Sequence, residues 1–239
     1  MKKNLLLFVS SLCLLACSGG SETEEIPTQP SKLPLNIGVN VATRATDTAF
    51  ESGDKVGIYV VNYKNDSPGT LAASGNHVTN EAFTYSGSSW SSTTQLYWQD
   101  QTTKADFYGY YPYASSVSNV NSYSIAVQAD QSTEANYKAS DFLWGKKEGV
   151  APTGSAVQLN LSHLMSNIII YLKAGKGYTD SEVSNAAITI VGLKTNATLN
   201  MATGVVTATG TASDIKPKAE SGYLRALVVP QSVSNAALI

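Results

Sequence analysis

Alternation of apolar and polar residues recurs along this chain. It constrains the fold more than any other feature, because a repeat of two belongs to a strand with one buried and one wet face. Leu35, Ile37, Val39 and Val41 alternate with Asn36, Gly38, Asn40 and Ala42. Val56, Ile58 and Val60 follow a Gly53-Asp54 turn signal, and Tyr123, Ile125 and Val127 alternate with serine, alanine and glutamine. Val157, Leu159 and Leu161 do the same against Gln158, Asn160 and Ser162. Further runs lie at 168–172, 188–190, 199–201, 205–209 and 224–228. Clusters of Gly, Asn, Asp, Ser and Pro separate them at the spacing of β-sandwiches. No helical stripe exceeds two turns, and residues 181–187 read as one short helical turn. The prediction is an all-β chain of two successive sandwich domains, 33–150 and 151–239, meeting in the Gly, Pro and Thr-bearing segment 149–155.

The composition fits that reading and narrows the function. Charged residues make up 14% of the 239, against roughly 25% in an average soluble protein. Their place is taken by 29 Ser, 22 Thr and 16 Asn, which suit strands and turns with a weakly charged outer face. The net charge is −2, without the basic footprint that binding to a phosphate backbone needs, so nucleic acid is excluded as an expected partner.

The first residues read as an address. Lys2 and Lys3 precede an apolar run at 5–16, which is too short for a membrane span of ~20 residues and fits a secretory signal peptide over 1–16. Leu14-Leu15-Ala16-Cys17 resembles the bacterial lipobox, which implies lipidation of Cys17, cleavage before it and anchoring in the outer membrane. Cys13 leaves with the signal, so the mature chain keeps one cysteine and has neither a disulfide framework nor a Cys metal site. Residues 17–32 are rich in Ser, Gly, Glu and Pro and read as a lipidated flexible tether.

Signs of catalysis are missing. His77 lies in a Gly-Asn loop without an acidic or Cys neighbour, and His163 lies between two strands; both read as structural histidines. No metalloprotease, nucleophile-elbow, Walker, dinucleotide or EF-hand motif occurs, so the chain reads as a non-enzyme with no cofactor and no metal. An aromatic cluster runs from Trp90 through Tyr113. Ala105, Phe107, Gly109, Tyr111 and Tyr113 share one strand face, and Tyr108 and Tyr110 the other. Core packing is the favoured role for such rings, with glycan stacking on Tyr108 and Tyr110 as the alternative.

Taken in order, several segments resemble the fimbrillin-like family, the lipoprotein precursors of type V pili. They are Thr43-Arg44-Ala45, the stretch from Phe50 to Tyr59, Tyr97-Trp98 and the stretch from Asp106 to Pro112. Asp130-Gln131-Ser132, the stretches from Ser140 to Trp144 and Leu159 to Met165, and Val228-Val229-Pro230-Gln231 follow. The resemblance implies two transthyretin-like sandwich domains and display at the outer-membrane surface. It also implies cleavage by an arginine-specific protease and assembly with other fimbrial subunits by donor-strand exchange. Arg44, the sole Arg before residue 225, fits the protease site, with Ala45 as the new N-terminus. The alternating Leu35, Ile37, Val39 and Val41 would then form the excisable strand, worth about 6–12 kcal/mol as an upper bound. Family members usually continue beyond the Val-Val-Pro-Gln segment, so the second domain is expected to be truncated, or else the chain is a tip subunit without a donor strand. Asp47-Thr48-Ala49 resembles a short bacterial O-glycosylation motif at Thr48. A host or bacterial surface ligand remains an expected partner of the fimbrium, and an outer-membrane lipoprotein that binds glycans without polymerising is the alternative function.

Overall fold

The computed structural model describes residues 32–41, 50–233 and 237–238. The expectations for Cys17, the tether up to residue 31, Arg44, Ala45 and Thr48 lie outside them. All described residues belong to one compact unit, Lys32–Ile239. Its elements are β1 (Ile37–Val41), β2 (Lys55–Asn62), β3 (Val78–Tyr85), β4 (Trp90–Ser91), β5 (Ala105–Tyr111), β6 (Tyr123–Ala126), α1 (Glu134–Ala139) and β7 (Leu143–Val150). There follow β8 (Val157–His163), β9 (Ser166–Ile170), α2 (Asp180–Ser184), β10 (Ile190–Asn200), β11 (Val205–Ile215), β12 (Lys218–Glu220), β13 (Tyr223–Val228) and β14 (Ala237–Leu238). The fold is an all-β sandwich with two short helices among the described residues, of six and five residues.

Seven strands form one sheet in the order β1-β8-β7-β5-β2-β3-β4. A second sheet runs β11-β10-β14, with β6 also paired to β10, and a third runs β12-β13-β9. The segment 149–155 links β7 to β8, neighbours in the first sheet, while β6 pairs across it with β10.

Strands β2 and β5 are buried on both faces, which is why they read as nearly continuous apolar runs. Val56, Ile58, Val60 and Phe107 face one apolar cluster together with Leu35, Ile37, Val39, Leu143, Leu159 and Leu161. Tyr59, Val61, Tyr108 and Tyr110 face the other, which is filled by Ile170, Leu193, Leu199, Met201, Ile215 and Ala226. The first sheet bends so that β8 lies across β5. Gly109 allows this approach, because a Cβ there would stand 2.6 Å from a Leu159 methyl and 3.0 Å from a Leu161 methyl.

The short elements are fixed locally. Thr133 caps α1 by accepting from the Asn136 amide at 3.2 Å, and α2 begins with a Thr179–Glu182 capping box. The short helical turn expected at 181–187 is α2, shifted slightly toward the N-terminus.

Candidate functional site

The apolar residues read as an excisable strand lie in and just before β1, at one end of the seven-stranded order. Leu35, Ile37 and Val39 are buried, with 3%, 6% and 5% of their surface exposed, and Val41 is half-buried. Their alternation places all of them on the core side, while Asn36 and Asn40 face outward. Strand β8 runs parallel to β1 in the register Ile37 with Val157, Val39 with Leu159 and Val41 with Leu161. The outer face adds polar contacts: Asn40 Nδ2 donates to Gln158 Oε1 at 3.2 Å and to Asn160 Oδ1 at 3.4 Å.

The two ends of the strand differ. At the N-terminal end the chain is bonded on both sides. The Leu35 amide donates to the Leu96 carbonyl and the Trp98 amide to the Leu33 carbonyl, each at 2.9 Å, while the Val157 amide donates to the Asn36 carbonyl. Beside it lies a groove of about 370 Å³, floored by Leu35, Ile37, Phe83, Trp90 and Leu96 and rimmed by serines and threonines of 91–94. From Ile37 onward, β8 is the one strand paired with β1 among the described residues.

At the C-terminal end a cavity of about 40 Å³ lies between Val41 and Phe50, lined further by Glu51, Asp54, Tyr111, Lys138, Asp141, Leu143 and His163. Phe50 is wedged edge-on against Trp90 and Tyr111, with ring centroids 4.7 and 5.5 Å apart. Asp141 Oδ1 lies 2.8 Å from His163 Nδ1, Lys138 pairs with Glu51, and the Tyr111 hydroxyl donates to Asp54 Oδ1 at 3.2 Å. Burial, and after it the Asp54 charge, raises the Tyr111 phenol well above its usual range; the hydrogen bond to Glu51 raises Lys138. These pairs anchor the chain where it re-enters after 42–49.

The glycan role for Tyr108 and Tyr110 is corrected by their burial: they are 4% and 2% exposed, and no sugar can reach either face. The Tyr110 hydroxyl donates to Asn80 Oδ1 at 2.8 Å and accepts from the Ala114 amide at 3.1 Å. The Lys146 ammonium lies 5.0 Å from the centre of the Tyr108 ring. Sequence reading placed these rings on the opposite strand face from Phe107, but alternation alone does not tell a face that meets a second layer from one that meets water. His77 donates through Nε2 to the Tyr97 carbonyl at 2.7 Å. Among the described residues, no group of three or more His, Cys, Asp or Glu could hold a metal ion. Phe83, Trp90 and Leu96 were missed as groove residues, because their convergence depends on how the sheet bends.

Comparison with known proteins gives these features a context. A Bacteroides uniformis protein, a candidate fimbrium subunit Fim1C, is 28% identical, covering 96% of this chain and 76% of the relative. The fimbrium subunit Fim1C of Phocaeicola vulgatus is 29% identical over 118 residues, covering 47% of this chain and 31% of that protein. Among solved structures, a candidate cell adhesion protein from Bacteroides uniformis superposes with a TM-score of 0.67 at 24% identity, covering 88% of this chain and 80% of that one. A second, from Bacteroides ovatus, gives a TM-score of 0.63 at 19% identity, covering 87% and 81%. At these identities the likeness is one of fold. The fimbrillin-like profile matches residues 43–239, and the chain therefore belongs to the fimbrillin-like family.

Proposed function

We propose that this chain is a structural and adhesive subunit of a cell-surface fimbrium that acts by assembly and not by catalysis. In this reading it travels to the outer membrane as a lipoprotein held through Cys17. A protease then cuts after Arg44, β1 is released with the lipid and the tether, and another subunit's strand takes its place. The observation that carries the proposal is the setting of β1. It is an apolar strand at one end of a sheet, joined to one neighbour among the described residues, and its last residue stands three positions before Arg44.

The energetics support exchange over simple loss. Three buried aliphatic side chains contribute roughly 5–9 kcal/mol as an upper bound, so a cut strand would stay in place until a competitor offered equal packing. An incoming strand with the same alternation restores the side chains in the core and the backbone pairing to β8 together.

The test is the N-terminus of protein sheared from the cell surface. Polymerised material is expected to begin at Ala45 and to lack lipid, and Arg44→Ala is expected to leave a lipidated, membrane-bound monomer. Sheared fibres that still carry residues 17–44, or fibres formed normally by Arg44→Ala, would refute the mechanism.

A further inference from the structure

Strand exchange at β1 leaves unexplained the groove beside residues 35–37. Its volume of about 370 Å³ lies within the roughly 300–1,000 Å³ of small-molecule sites, and no charged residue lines it. The floor is apolar, with Trp90 and Leu96 as its half-buried members. The Trp90 indole is held against Tyr85 and Phe50, with ring centroids 5.1 and 4.7 Å apart. The rim consists of uncharged polar side chains: Asn36, Ser91, Ser92, Thr93, Thr94 and Gln95. Ser92 and Gln95 donate to the carbonyls of Thr94 and Leu96. The other four side chains make no hydrogen bond to a described residue. Neither does the Trp90 N–H, whereas the Trp98 and Trp144 indoles donate to the Thr153 and Met201 carbonyls.

This lining excludes several occupants. A charged ligand would meet no countercharge, and a wholly apolar one would cover the polar rim without bonding to it. A further strand does not fit between the two walls. Strands β1 and β4 approach within 8 Å, Cα to Cα, whereas a strand between them needs about 9.6 Å, two ordinary strand spacings. The backbone bond from Leu35 to Leu96 already joins the walls. A neutral sugar ring matches what remains. Its C–H face is apolar and lies on an aromatic ring, and its hydroxyls both donate and accept, as serine, threonine and asparagine side chains do.

We propose that this groove binds a neutral hexose unit of a surface glycan. The ring lies over Trp90 and Leu96, and its hydroxyls bond to Asn36 and the 91–94 rim. The proposal names a ligand for the adhesive role and rests on the fimbrial reading for that role alone, since binding requires neither cleavage nor assembly. It differs from stacking on Tyr108 and Tyr110, which their burial prevents.

The test uses the whole, uncleaved chain with its indole nitrogens isotopically labelled. Its three tryptophans give three indole N–H signals, and Trp90→Phe identifies the one in the groove. The probes are methyl glucoside, methyl galactoside and methyl mannoside. At about 10 mM, tenfold above a millimolar Kd, at least one is expected to shift the Trp90 signal and leave the Trp98 and Trp144 signals in place. Thr93→Glu puts a longer, charged side chain on the rim and is expected to weaken binding at least about tenfold. Its melting midpoint should stay within about 2 °C of wild type, because Thr93 is exposed. Trp90→Ala is the second variant and is expected to abolish binding. The proposal is overturned if none of the three sugars shifts the Trp90 signal, or if binding survives both variants. It is equally overturned if glucuronic acid or an alternating apolar peptide shifts that signal in their place. Fibres that begin at Ala45 on a chain that binds no sugar would sink this proposal alone; sugar binding by a chain whose Arg44→Ala variant forms normal fibres would sink the exchange mechanism alone.

Discussion

Two glutamine side chains do work usually left to backbone. Gln131 is wholly buried; its Oε1 accepts from the Leu227 amide at 2.8 Å, and its Nε2 donates to the Leu227 carbonyl at 2.7 Å and the Gln128 carbonyl at 3.0 Å. Gln231 does the same for Lys194, accepting from its amide at 3.0 Å and donating to its carbonyl at 2.9 Å, between two register shifts of β10. Gln131→Leu keeps most of the volume and strands both Leu227 groups. It is expected to cost roughly 2–4 kcal/mol, read as a lower denaturation midpoint at unchanged slope. The tyrosines give a paired contrast. The Tyr59 hydroxyl is buried without a hydrogen-bond partner among the described residues, and burial pushes the phenol up to about 12. Tyr59→Phe is expected to leave stability unchanged or raise it by up to about 1 kcal/mol, while Tyr110→Phe should lower it by about 1–2 kcal/mol. Thermal melts of the two variants side by side check the difference in sign. Both glutamines stand in segments that carry the family resemblance, yet their bonding was not legible. Alternation reports which way a side chain points, not that Gln131 meets a strand 96 residues later.

Among the elements, α1 is held by charge. Lys218 pairs with Glu134 and, at 2.6 Å, with Glu220; Arg225 Nε lies 2.8 Å from Glu220 and its guanidinium 4.2 Å from the centre of the Tyr137 ring. The Lys218 hydrogen bond is the chief cause holding both Glu134 and Glu220 below their ordinary value of 4.5. Carboxyls depressed in the folded state stabilise fully above their unfolded value, and that contribution fades as pH falls through the lower folded one. Hence α1 is expected to loosen from β12 and β13 below about pH 4.5, before the sheets do. Hydrogen exchange corrected for intrinsic rate should show protection lost in Glu134–Ala139 between pH 6 and pH 3 while β5 keeps its own. Why some elements escaped sequence reading is visible here. A six-residue helix is under two turns and cannot display a stripe. In β3, Val78 and Phe83 are both buried despite opposite parity, because the chain turns through a positive φ of 49° at Asn80 and the pairing with β2 slips nearby. Strands without such a break, β1, β8 and β13 among them, were read within a few residues.

For the whole molecule, the all-β class was legible because alternation is local, and the strand order was not because pairing is remote. Nothing in 123–127 marks β6 for β10, and nothing in 157–161 marks β8 for a parallel alliance with β1. The parallel alliance has a kinetic consequence. Its rungs join residues 120 apart, and closing so large a loop costs entropy before any contact repays it. On the ribosome, β1 emerges early and stays without its paired strand until residues past 161 have been made. Strands β2, β3, β4, β5 and β7 of its sheet can pair in the meantime. A ribbon that joins this late is one most of its sheet has already done without.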